Sequence, residues 1–350
     1  MSETEPKREP DQLEGVPLPE HQPLLVGHDA AHRAVLDRLH GGSLPSAIML
    51  HGPQGIGKAT LAFRLAREIL IATGDEDAHR IEEQISAGSH PNLFVLRRQP
   101  RDTKGFYTVI RVDDIRALRQ DLRTTRGRAG HRVAIIDSID DCNLNAANAL
   151  LKTLEEPPAD TIFFLISHRP GSLLPTIRSR CHNLALRPLQ DAEVANVLSA
   201  TLPTTPSREL SQAVGLAHGR PRKGFEALLI GDTSSLAGLQ NWLAAPTNFP
   251  SGAHLALADA LAADAAGSEA AFGRDMLIDW LAAEARQAAL QGPSGRMRLA
   301  SANELWDKAQ TLFAETDSLN LDLRQTLVVI FDSIRRHVFD TQSAPISGSE

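Results

Sequence analysis

Apolar residues fall first into three short unbroken runs and, further along the chain, into stripes that repeat every three or four positions. The runs are SAIML (46–50), the VAII of HRVAIIDSIDD (131–141) and TIFFLIS (161–167). Runs of this length, unrelieved by alternation, predict strands buried on both faces. Between them the period becomes helical. Leu61, Ala62, Leu65, Ala66, Ile69 and Leu70 share one face, and Ile115, Leu118 and Leu122 another. Ala147, Leu150, Leu151 and Leu154 form a third stripe, stopped by Pro157 and Pro158. Beyond about residue 188 strand-like runs are scarce, and alanine- and leucine-rich segments such as 270–291 and 301–316 predict helix packed on helix. The pattern is an α/β front half with an all-helical continuation.

Composition narrows the class. At 350 residues the chain is long enough for two or three domains, and 42% hydrophobic with 23% charged residues is a globular balance. Residues 1–20 are polar and proline-punctuated with no apolar core, so they are read as a disordered tail rather than a signal or membrane segment, and the closing residues 342–350 likewise. No apolar run has membrane-spanning length. Two cysteines make neither a disulfide framework nor a four-cysteine zinc site, and a cytoplasmic location is expected. A net charge of −7 argues against an all-over nucleic-acid binder, and 4% aromatics against a stacking platform for single strands.

Candidate chemistry begins at HGPQGIGKAT (51–60). Gly52, Gly55, Gly57 and Lys58 stand between a predicted strand and a predicted helix, the setting of a phosphate-binding loop. Such a loop either cradles phosphates or is a scaffold that binds nothing. Lys58 is followed by Ala59, where a hydroxyl normally holds Mg²⁺. The hydroxyl arrives on Thr60, about 100° further around the helix and poorly placed to replace it. Asp137 ends its strand where an acidic residue would help position Mg²⁺. The next position is Ser138, which cannot act as a carboxylate base; Asp140 and Asp141 are read as acids opening the following helix. Hydrolysis by this chain alone is not expected, and Mg²⁺ binding is in doubt. His79 and His90 are read as surface residues, and no metal site is inferred.

KTLEEPP (152–158) followed by LLPTIRSRC (173–181) resembles the AAA+ clamp-loader family of bacterial DNA polymerase III. The likeness extends over LVGHDAAHRAVLDRL (25–39), SAGSHPNLFVL (86–96), GRPRKGFEALL (219–229) and NLDLRQTLVVIFDSIRR (320–336). It implies an AAA+ P-loop domain with a doubly wound parallel sheet over 21–187, a small helical lid over 188–232 and an all-α collar over 233–341 that joins a ring of five. Gamma/tau motor subunits, the delta subunit, the sliding clamp and primed DNA are the implied partners, with no membrane. The substituted loop, and the lack of a long extension at the end of the chain, place the sequence with the non-hydrolysing kind of subunit. A motor-type, ATP-hydrolysing subunit is the alternative.

Within that resemblance Arg180, of Ser179-Arg180-Cys181, is the arginine finger reaching a neighbour's ATP, against the plainer reading of a structural ion pair. ATP or ADP, perhaps unhydrolysed in this chain, would meet Gly52, Gly55, Gly57, Lys58, Thr60, Asp137 and, from the lid, Arg222. The first sensor position falls at Ser167 or His168. The zinc module of many such subunits has no cysteines here to build it. Arg116, Arg119, Arg123 and Arg126 recur at helical spacing beside the buried stripe of their segment; they either follow a DNA backbone or form a solvated face.

Overall fold

The computed structural model describes residues 9–101, 105–123, 128–231, 233–250, 252–263, 265 and 267–343. Two compact units divide between Phe225 and Glu226.

The first unit is built on a parallel sheet. Its strands are β1 (Ala47–His51), β2 (Leu93–Leu96), β3 (Arg132–Asp137), β4 (Thr161–Ser167) and β5 (His182–Ala185), in the order β2-β3-β4-β1-β5. All pairings are parallel, with Ala47 beside Phe163 and Ala134 beside Phe163 on its other side. The helices of this unit are α1 (Asp29–His40), α2 (Lys58–Thr73), α3 (Ala78–Ser86), α4 (Val112–Asp121), α5 (Leu144–Glu155), α6 (Pro175–Arg178), α7 (Asp191–Thr201), α8 (Ser207–Ala217) and most of the first turns of α9 (Pro221–Ile230). Alternate strand residues go to opposite faces. Ile48, Leu50, Val133, Ile135, Phe164 and Ile166 pack against α2 on one side, and Met49, Ala134, Ile136, Phe163 and Leu165 against α4 and α5 on the other. Both faces are covered, so the interiors of the central strands, 47–50, 133–136 and 162–166, are apolar. The doubly wound α/β class expected from the sequence is the one observed.

Helix starts follow local chemistry. Asn143 caps α5 by accepting the Ala146 N–H at 2.9 Å. Asn143→Ala should therefore cost about 1 kcal/mol in chemical denaturation, with an unchanged m-value. Asp140 and Asp141 do not open this helix, as the sequence suggested. They sit in a separate short turn (Ile139–Asp141), where Asp140 accepts the Ser167 hydroxyl at 3.1 Å and the His168 and Arg169 N–H groups. A carboxylate able to satisfy three donors at a strand end is better used there than at an end that Asn143 already caps.

Two further expectations change. The described part of the first 20 residues is placed against this unit, with Glu20 in a short helical turn (Pro19–His21) paired to Arg97. His90 is buried, with 6% of its surface exposed; its Nδ1 accepts the Asn92 N–H, and its Nε2 lies 3.8 Å from Glu76. His79 is exposed, as anticipated.

The second unit is helical: α10 (Ser234–Ala244), α11 (Ala253–Ala262), α12 (Ser268–Leu290), α13 (Arg296–Leu319) and α14 (Leu323–Ser343). Trp242 and Phe331 meet edge to face at 5.0 Å, while Leu277, Leu281, Leu327, Ile330 and Ile334 are buried. One buried polar cluster ties three helices together. Glu284 of α12 meets Arg298 Nε of α13 at 2.5 Å and His337 Nε2 of α14 at 3.3 Å, and Ser301 Oγ lies 2.8 Å from His337 Nδ1. No described helix is long and apolar enough to cross a membrane.

Candidate nucleotide site and arginine surface

The loop at 52–57 connects β1 to α2 at the edge of the sheet where β3 and β4 also end. Its close packing explains the glycines. A Cβ on Gly52 would run into the Leu186 carbonyl oxygen, and one on Gly55, at φ +84°, would stand 2.7 Å from Arg222 Cβ. Sequence reasoning passed over His28, whose Nε2 lies 2.7 Å from the Ile56 carbonyl oxygen and pins the loop from the start of α1. The positive φ of His28 belongs to the tertiary fit and has no local sequence signal.

Lys58 is buried, with Nζ donating to the carbonyls of Gly52 at 2.8 Å and Pro53 at 2.6 Å. Burial pulls its ammonium down to about 8, with Asp137 and Asp140 partly opposing. Asp137 lies at the end of β3, but its ion-pair partner is a side chain that sequence reasoning did not select: Arg97 Nε is 3.6 Å from Asp137 Oδ2. The same guanidinium donates to both carboxylate oxygens of Glu20, at 2.9 and 2.8 Å, and lies over the Phe63 ring. Burial raises the Asp137 carboxyl, and the Arg97 charge counters it.

This donor set does not fit Mg²⁺. Ala59 offers no oxygen and packs at the rim of the core, Asp137 is matched to a guanidinium, and Ser138 is a buried hydroxyl. Among the described residues no group of three or more His, Cys, Asp or Glu could hold a metal ion. Arg222 lies at the rim of the loop, its backbone N–H donating to the Gly55 carbonyl at 3.2 Å. Thr60 is partly buried in the first turn of α2. Ser167 is fully buried at the end of β4, and burial pushes the His168 imidazole down to about 4.

Arg180 stands away from this loop, between α6 and β5, and is 36% exposed at the side chain. Its Nη2 is 2.6 Å from Glu155 and its Nη1 donates to the Thr176 carbonyl at 3.0 Å. Burial pushes the neighbouring Cys181 thiol up to about 12, and that of Cys142 likewise. Of the predicted basic row, Arg119 and Arg123 line a cleft of about 260 Å³ with Lys152, Thr153, Glu155, Glu156 and Pro158. Arg116 is instead paired with Asp113 at 2.9 Å, and Arg126 lies outside the described residues.

Comparison with known proteins adds what geometry cannot. The sequence profile of the family described as DNA polymerase III, delta subunit, matches residues 27–190. The DNA polymerase III subunit delta' of Pseudomonas aeruginosa is 39% identical over 180 residues, covering 50% of this chain and 53% of that protein. The subunit delta' of Escherichia coli is 32% identical over 205 residues, 57% of each chain. The subunit tau of Salmonella typhimurium is 28% identical over 186 residues, covering 51% of this chain and 27% of that protein. The chain thus spans about half the length of the delta' relatives it matches.

Proposed function

We propose, from the match of residues 27–190 to the DNA polymerase III delta subunit family, that this chain acts as the delta-prime subunit of a clamp loader. In that role it assembles with gamma/tau motor subunits and delta, lends Arg180 to a neighbour's nucleotide site, and helps load the sliding clamp on primed DNA. The supporting observation is a division of labour within one unit. The chain's own site has Ala59 and Ser138 at two catalytic positions and a guanidinium on Asp137, while Arg180 stands at the surface. A nucleotide held at Gly52 to Lys58 is then a static ligand, bound without Mg²⁺. Arg119 and Arg123, beside Lys152, are the proposed phosphate contacts to DNA, since cations lining a cleft can follow a backbone without reading sequence.

Likeness to tau favours a second reading, a motor subunit with its own turnover. Two measurements separate them. Phosphate release by the isolated chain, abolished by Lys58→Ala, would establish the motor. Under the delta-prime reading the isolated chain releases none, and in the rebuilt loader Lys58→Ala lowers ATPase activity far less than Arg180→Ala.

A further inference from the structure

Residues 9–21 contact side chains that surround the 52–57 loop: Arg97 and Arg98 after β2, and Arg222 at the start of α9. His21 anchors one end, its Nε2 lying 2.6 Å from the Ser86 carbonyl oxygen. Glu20 holds Arg97 through two hydrogen bonds, both side chains being largely buried. Further towards the start, Asp11 Oδ2 lies 2.6 Å from Arg98 Nη2, and the Asp11 backbone carbonyl accepts from Arg222 Nη1. Glu9 approaches Arg97 at 3.7 Å.

These anchors locate the segment. Arg97 and Arg98 follow β2, and Arg222 opens the helix that abuts Gly55. A segment touching all three passes over the edge where Lys58, Asp137 and His168 lie. The Asp11 charge is felt at both Asp137 and His168, at the ends of β3 and β4. The segment also meets α2, the helix that the loop opens.

We infer that residues 9–21 are an autoinhibitory strap, an acidic piece of this chain that competes with nucleotide phosphates for the mouth of the loop and for Arg222. Its carboxylates engage Arg97 and Arg98, its Asp11 carbonyl engages Arg222, and Glu9 and Asp11 repel an incoming polyphosphate. Being covalently attached, the strap acts at a high effective concentration, so modest contacts suffice. Arg97 is the pivot, because it serves Glu20 and Asp137 at once. The inference concerns the chain's own loop and is independent of Arg180.

The test uses a fluorescent ADP analogue in EDTA. The full chain is compared with a variant lacking residues 1–17, which loses Glu9 and Asp11 but keeps Glu20 on Arg97, so the buried guanidinium stays paired. A strap closed nine-tenths of the time weakens apparent affinity about tenfold, so its removal should tighten binding by at least about that factor. Lys58→Ala in the shortened chain should erase the gain. The full-length Glu9→Gln/Asp11→Asn variant should show a gain of a few fold, and it decides alone should the shortened chain not fold. A folded shortened chain that binds ADP no more tightly than the full chain, or a gain that survives Lys58→Ala, overturns the strap. ATPase of a loader rebuilt with Arg180→Ala answers separately for the role in trans.

Discussion

A clamp loader rebuilt with Arg180→Ala should, on the proposed role, hydrolyse ATP roughly a thousandfold more slowly at the nucleotide site this side chain would reach. A guanidinium placed against the transferring γ-phosphoryl group neutralises charge as it develops, and supplying one in trans is worth about 10³ to 10⁵ in turnover. On the proposed assembly one site in the ring would receive this residue, so total ATPase falls by that site's share, and single-turnover measurements expose the full effect. The substitution should leave the chain's folding intact. Arg180 and Glu155 are 36% and 47% exposed, and ion pairs of that kind contribute about 0–1 kcal/mol. Arg180→Lys keeps the charge without the planar fork and should recover only part of the rate. Unchanged single-turnover rates in the Arg180→Ala loader would take the finger role away from this residue.

Glu284→Gln should destabilise the helical unit by about 3 kcal/mol at neutral pH, because it strips the counter-ion from Arg298 and weakens the bond to buried His337. Arg298 retains some solvent, which keeps the loss at the lower end for a buried pair. The hydrogen bond from His337 above all, with Arg298, holds the Glu284 carboxyl at about 2, against an ordinary 4.5. Since the folded pKa lies below the unfolded one, the contribution is complete above about pH 4.5. It is lost progressively as pH falls from there to about 2, a span worth roughly 3 kcal/mol. The full chain's stability advantage over Glu284→Gln should therefore shrink along that limb and vanish near pH 2. All three tryptophans, Trp242, Trp280 and Trp306, lie beyond residue 226, so their fluorescence reports this unit's unfolding selectively. Parallel stability curves for the two proteins between pH 4.5 and 2 would refute the linkage.

The central strands were legible because burial on both faces favours apolar residues in their interiors, so 47–50, 133–136 and 162–166 appear as unbroken apolar runs. His182–Ala185 was not: an edge strand, half exposed, with an ordinary polar sequence. At the candidate site, Gly52 to Lys58 and Asp137 could be found because phosphate cradling imposes local spacing. Arg97 and Glu20 could not, for the two are 77 positions apart and an ion pair leaves no periodic trace. Proline and charge made residues 9–20 resemble a tail, although the same charges attach them to the folded unit. Arg180 and Arg222 were visible only through family resemblance, since a single arginine in a turn or at a helix start has no pattern of its own.

The two thiols, Cys181 buried and Cys142 partly so, carry a practical consequence. Burial pushes both up to about 12, so at neutral pH each stands overwhelmingly as the neutral thiol, whereas the thiolate is the form that attacks an electrophile. The native chain is therefore a dark background for cysteine chemistry. A single cysteine introduced at an exposed position can carry a dye, a spin label or a crosslinker without first removing Cys142 or Cys181, so that the movements of one chosen segment can be followed in an otherwise unaltered protein.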